Sequence, residues 1–414
     1  MKKFSFYLAL ACMFLAPASC EKSNGSGKDV KPAEPIILNA KQSEKAKGDN
    51  AFSFNLFQQV ATSADKTNAF ISPLSVSMAL GMLYNGTSPA ARSEMVAALG
   101  MTDFSDAEIN EYYQKMSQAL LSVDPLTALA IANSIWSEKT YPVKQSFIDV
   151  NKKYYDAEVQ SLDFSLKSTL DAINNWCAKK TNDRIKTILD EIPDNAVMYL
   201  INAVYFKSKW QFEFDKKDTR DEEFTMENGV RKKVPMMNQT TALPYYSDEM
   251  LECVEMPYGN GAFSMLAILP AESKTIDELV DYLDNDVGNT VLTNMSEANV
   301  HVKFPRFKQE CEFSLVEPVE NLGMNLIFQP GGNLNGIADD SRLLVSKIKH
   351  KTFVEVNEEG TEAAAVTAVE MSVTSVNPFI PTTFFANRPF IYLIKEKSTG
   401  AILFIGRMDN PQGG

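Results

Sequence analysis

Only two histidines, His301 and His350, occur in 414 residues, and a hydrolase built on a serine or cysteine nucleophile needs one beside it, oriented by an acid. Neither lies near a Gly-x-Ser-x-Gly elbow or a cysteine motif. Cys177, Cys253 and Cys311, the cysteines beyond the first twenty residues, are odd in number and widely spaced. With no Cys-x-x-Cys and so few histidines they make no zinc pattern, and buried free thiols are expected, although a disulfide between two of them stays open. No phosphate-cradling glycine loop and no dinucleotide fingerprint occurs. In a chain with 53 acidic residues, a pair such as Glu358 and Glu359 carries little information. The chain therefore reads as a non-enzyme with no cofactor and no metal. A serine hydrolase using His350 is the catalytic alternative, which a small-ester assay tests.

The elements that would hold a site point the same way. With 45% hydrophobic residues, the chain supports a substantial core. Helical signals come first: a stripe at Phe54, Phe57, Val60 and Ala61, then Ser72-Pro73 opening a nearly all-apolar helix to Tyr84, then residues 88–122, Gln145 to Tyr155 and Asp171 to Leu189. Leu129 to Trp136 is an early strand candidate. From Met198 to Phe206 apolar residues occupy both faces of a strand, as in a central strand. Strand signals then dominate at Val254 to Pro257, Phe263 to Pro270, Asn299 to Phe304, Lys351 to Val356, Phe390 to Lys395 and Ala401 to Met408. No linker divides the body, so one mixed α+β domain is the economical reading.

One segment fits this pattern poorly. From Thr361 the odd positions Thr361, Ala363, Ala365, Thr367, Val369, Met371 and Val373 are small or apolar, whereas the even ones include Glu362 and Glu370. That alternation gives a strand one buriable face. The segment is nevertheless long, carries three consecutive alanines and runs into Pro378 and Pro381. It is able to join a sheet without clearly belonging to one.

The net charge of −13 repels phosphate backbones, which excludes nucleic acid as the expected partner. Residues 1–19 read as an export signal, with Lys2 and Lys3, an apolar run from Phe4 to Leu15, and Ala16-Pro-Ala-Ser-Cys20. Cleavage before Cys20 with lipidation of that cysteine is preferred over cleavage after Ala18, because residues 20–48 begin as a polar tether. The expected location is an outer-membrane lipoprotein, on the periplasmic or surface face, or a secreted protein. A lipid anchor would be its only membrane contact, since no later segment is apolar enough to span a bilayer.

Five ordered blocks carry a resemblance. They are Asn68-Ala-Phe-Ile-Ser-Pro-Leu-Ser-Val-Ser-Met-Ala-Leu80, Ile201-Asn-Ala-Val-Tyr-Phe-Lys-Ser-Lys-Trp210, Val234-Pro-Met-Met237, Phe353-Val-Glu-Val-Asn-Glu-Glu-Gly-Thr-Glu-Ala-Ala-Ala365 and Ala386-Asn-Arg-Pro-Phe-Ile391. Together they resemble the serpins, over residues 49–410 in the family's order. The resemblance implies a metastable fold of three β-sheets and eight or nine helices, with an exposed reactive-centre loop at about 358–386. A target protease would attack this loop and form an acyl-enzyme. The cleaved loop would then insert as a new central strand of the main sheet and distort the protease before deacylation.

The resemblance also assigns residues. The hinge would be Glu359, Gly360, Thr361, Glu362, Ala363, Ala364 and Ala365, whose small inward side chains suit insertion and an inhibitory member. Inward burial of Val369, Met371 and Val373 would contribute about 1.5–3 kcal/mol each. Counting the family's usual fourteen residues on from Gly360 puts the scissile bond at Thr374–Ser375, with Val373 and Val376 as alternatives. No Lys or Arg occurs from Gly360 to Asn387, so an elastase-like or subtilisin-like serine protease is the expected target, and papain-like cysteine proteases remain open. Ser72, Ser75, Asn202 and His350 would form the shutter, a hydrogen-bond network under the parting strands, and Trp210 would stand in the breach where the loop first enters. The protein would be a monomer that polymerises on heating. The alternative is a non-inhibitory serpin-fold binding or chaperone protein.

Overall fold

A computed structural model describes residues 31–62, 68–361 and 381–412. The first half contains α1 (Ala40–Ala61), β1 (Ala69–Ile71), α2 (Pro73–Tyr84), α3 (Pro89–Ala98), α4 (Asp106–Ser122), β2 (Ala128–Glu138), α5 (Gln145–Tyr155), β3 (Glu158–Leu162) and α6 (Lys167–Lys180). Then come β4 (Met198–Lys209), β5 (Arg220–Thr225), β6 (Arg231–Ser247), β7 (Leu251–Pro257), β8 (Phe263–Pro270), α7 (Ile276–Tyr282), α8 (Asn285–Asn294), β9 (Ser296–Pro305) and β10 (Phe307–Ser314). The chain closes with α9 (Val316–Asn321), β11 (Lys349–Asn357), β12 (Gly360–Thr361), β13 (Thr382–Phe385), β14 (Phe390–Glu396) and β15 (Ile402–Met408).

Local chemistry explains several boundaries. Ser72 caps α2 by accepting from Ser75 N, Pro73 occupies the first turn, and the helix is buried almost all round. The helical stretch expected over 88–122 is broken at Gly100, whose φ is +60° and whose missing Cβ leaves room for Gly48. The helix expected over 171–189 stops at Lys180, where Asn182 and Asp183 take positive φ. The side chain of Asn174 then holds Ile188 and Leu189 through their backbone N–H groups.

One further expectation changes. α1 starts at Ala40, inside the stretch assigned to the tether, with a capping box between Asn39 and Gln42. Lys45, which falls within that stretch, is buried in an ion pair with Asp49 at 2.5 Å. Ala33, Ile36 and Leu38 also pack on the core, and Ala33 N donates to Asn260 O. The expected α+β architecture of helices and mixed sheets is present, and the strands of the described residues follow two hydrogen-bonded paths, one of nine strands and one of six. In the longer path β6 pairs with β5 and β9 along most of its length and with β7 at Tyr245 to Ser247, so one ladder runs on into the next.

The smaller sheet matters most for function. Its order is β10-β11-β12-β4-β2-β3. The main core lies between this sheet, the nine-stranded sheet and α1, α2 and α4. A second cluster, including Trp136, Ile173, Trp176, Cys177, Ile188 and Ile201, packs α6 onto the six-stranded sheet. Among the described residues no helix is long and apolar enough to cross a membrane.

Candidate functional site: the hinge and the parted strands

Three bonds to the main chain draw β11 into a tight turn. Trp210 Nε1 donates to Asn357 O at 2.9 Å, Trp210 N to Glu359 O at 2.9 Å, and Phe214 N to Glu358 O at 2.9 Å. The side chain of Glu358 is 1% exposed and accepts from Arg306 and from Thr219 Oγ1. Burial alone would raise its pKa, but the bonds from Arg306 and Thr219 hold the carboxyl below its ordinary value. Lys216 pairs with Glu359 on the outside of the turn.

The chain then re-enters the sheet. Gly360 has φ +146°, and a Cβ there would lie 2.2 Å from Ser208 O, so only glycine fits. Gly360 and Thr361 pair antiparallel with Asn357 and Val356 of β11 on one side and with Lys209 and Ser208 of β4 on the other. Thr361 is 2% exposed, and its Oγ1 lies 2.6 Å from Tyr258 Oη. Tyr258 in turn stacks on Trp210, with centroids 4.4 Å apart.

Thr361 is the last described residue of this strand. Among the described residues no backbone pair joins β4 directly to β11. Two cavities lie between these strands instead: a small one lined by Asn202 to Val204 and Lys349 to Thr352, and one of about 610 Å³ lined by Asn195 to Asn202 and Leu343 to His350. Residues of α2 from Ser75 to Leu83 line the larger one as well.

The four shutter residues face this gap but do not form one network. Ser72 N donates to His350 Nε2 at 2.9 Å, and Ser72 Oγ donates to Leu403 O at 2.8 Å. On the opposite side Asn202 Nδ2 donates to Asn133 Oδ1 at 2.6 Å, while Asn202 Oδ1 is buried with no partner among the described residues. The expected single network is thus split, because the strands carrying Asn202 and His350 are parted. Burial pulls the His350 pKa down to about 4, so the ring is neutral and accepts. Its partner among the described residues is a serine amide rather than a hydroxyl. His301, in β9, lies 2.8 Å from Asn238 Oδ1 in β6.

A family model for serpins (serine protease inhibitors) matches residues 47–411. The chain is a serpin. It is 33% identical to human serpin B3, over 88% of this chain and 99% of that protein, and 34% identical to a serpin-like protein of Thermococcus kodakarensis, over 88% and 85%. Among solved structures, the thermophilic serpin tengpin in its native state gives a TM-score of 0.82 at 33% identity, covering 92% of this chain and 97% of tengpin. Human thyroxine-binding globulin complexed with its hormone also gives 0.82, at 27% identity over 90% and 100%. Serpins are for the most part protease inhibitors rather than enzymes, and the family includes non-inhibitory members such as thyroxine-binding globulin.

The serpin's Glu359, Gly360 and Thr361 are in the hinge turn, and Trp210 is beside it. Glu362, Ala363, Ala364, Ala365, the bond Thr374–Ser375 with its neighbours Val373 and Val376, and Cys20 lie outside the described residues. Cys177, Cys253 and Cys311 are buried thiols, and burial pushes that of Cys177 up to about 12. No cluster of His, Cys, Asp or Glu among the described residues could hold a metal. Sequence reasoning missed Arg306, Thr219 and Tyr258, which fix the turn from 52, 139 and 103 residues away. No local signal marks such partners.

Proposed function

We propose that this serpin traps a protease. The nucleophile of the protease attacks the carbonyl of the residue before the cut, Thr374, and the amine of Ser375 leaves with a proton as a new N-terminus. The freed segment then continues from Thr361 as a strand between β4 and β11, carrying the esterified protease with it before water can release it. The observation that carries this reading is the seating of Gly360 and Thr361 in both flanking ladders while, among the described residues, β4 and β11 below them have no direct pairing. The first two residues of the new strand are already in register, so insertion extends an existing ladder rather than nucleating one.

The absence of Lys and Arg from Gly360 to Asn387 favours elastase-like or subtilisin-like serine proteases, and a papain-like enzyme would form the equivalent thioester. Export, with an outer-membrane anchor at Cys20 or release by secretion, is the setting proposed for this activity. Incubation with an elastase-like protease should give a complex that survives denaturing electrophoresis and a released peptide beginning at Ser375 or within a few residues of it. Clean cleavage without a complex, across serine and cysteine proteases, would overturn this reading in favour of a non-inhibitory serpin.

A further inference from the structure

Asp124 lies in the connection between α4 and β2, far in sequence from the hinge, and is 3% exposed. Its Oδ1 accepts from Leu126 N at 2.9 Å. Its Oδ2 accepts from Thr127 Oγ1 at 2.7 Å and from Asn260 N at 3.4 Å. Two arms leave this carboxylate. In one, Thr127 Oγ1 is 2.7 Å from Ser208 Oγ, and Ser208 is the β4 residue paired with Thr361. In the other, Oδ2 fills the space beside Gly259, where a Cβ would approach it to 2.1 Å, and so supports the turn that follows Tyr258. That turn is tied to β4 by Gly259 N donating to Lys209 O, and Tyr258 Oη meets Thr361 Oγ1. The strand contact and the side-chain contact of Thr361 therefore rest on one buried carboxylate.

We propose that Asp124 is a positioning residue that keeps Gly360 and Thr361 seated between β4 and β11. By doing so it sets the partition between trapping and release, a role that rests on the inhibitor reading above. The carboxylate accepts from three donors at once. An amide in its place would turn an NH₂ toward at least one of them. Asp124→Asn should then unseat the hinge without changing the loop sequence that a protease reads.

Hydrogen exchange of the 357–361 peptide tests the seating whether or not trapping occurs. Asp124→Asn should speed exchange at Gly360 and Thr361 by about tenfold, the factor for one net hydrogen bond of about 1.4 kcal/mol. Tyr258→Phe, which removes only the hydroxyl, should do the same, and the double variant should add little to either. Unchanged exchange in Asp124→Asn, or fully additive effects, would overturn the proposal. Should Asp124→Asn fail to fold, Thr127→Val severs the strand arm alone, and faster exchange is again expected and unchanged exchange contradictory. Where the wild type traps, Asp124→Asn should raise the moles of serpin consumed per mole of protease several-fold at an unchanged rate of loop attack. A rise in consumption matched by an equal fall in the rate of loop attack would mark a merely structural role. A wild type that never traps would defeat the inhibitor reading while exchange still decides whether Asp124 seats the hinge.

Discussion

The top and the middle of the six-stranded sheet are built on opposite terms. At the top, Trp210, Phe214, Thr219, Tyr258 and Arg306 all converge on residues 357–361, and the turn's main chain is bonded on both sides. In the middle, among the described residues, β4 and β11 have no direct pairing, cavities are lined by residues of both, and Asn202 Oδ1 has no partner. A sheet stabilised evenly would resist a new strand everywhere. On the trapping proposal, this sheet would fix where a strand enters and leave the rest of the path weak, so that insertion would relieve strain there.

The largest expected effect comes from putting a charge at the entry. Thr361→Arg would place a guanidinium at a 2% exposed position against Tyr258, with no acid described at that point to pair it. It should convert the inhibitor into a substrate, raising the stoichiometry of inhibition about tenfold or more. A persistent complex in that variant, on a denaturing gel, would count against entry at Thr361.

The middle of the sheet should respond next, through pH. Above pH 6.5 His350 is neutral in folded and unfolded chains, and its contribution is fully present. Between 6.5 and about 4 the unfolded chain takes up a proton that the buried ring refuses, so stability should fall as pH falls, by up to about 3 kcal/mol. Urea midpoints measured from pH 7 to 4.5 should show this slope, and His350→Gln should flatten it.

Gly360→Ala tests the top again, more gently. The strained φ and the Cβ contact with Ser208 O should cost about 1–3 kcal/mol of seating, visible as faster exchange at Thr361. Asn202→Leu should have the smallest effect. Its carboxamide oxygen has no partner among the described residues, so the loss should stay within about 1 kcal/mol in thermal melts. The lack of direct pairing between β4 and β11 among the described residues also predicts polymers after mild heating, seen as a shift to high mass in size exclusion.

Gly360 and Trp210 were singled out by the resemblance, in the blocks ending at Trp210 and Ala365, and the structure brings both to the turn at residues 357–361. The strands of the second half were legible from their apolar runs, and so was the helix capped by Ser72. β6 was not, since Pro235 and Pro244 interrupt its strand signal. The start of α1 was hidden because Lys45 and Asp49 look solvated until they are seen paired in the core. The split of the shutter residues into two sides depends on strand separation, which no residue type encodes.

The account stands most directly on whether the gap between β4 and β11 accepts the segment after Thr361. Cutting the loop once, near Thr374, and comparing thermal midpoints of intact and cleaved protein measures this. Insertion of a new central strand should raise the midpoint by on the order of tens of degrees. An unchanged or lower midpoint would mean that the parted strands do not receive the loop, and the trapping mechanism would fall with it.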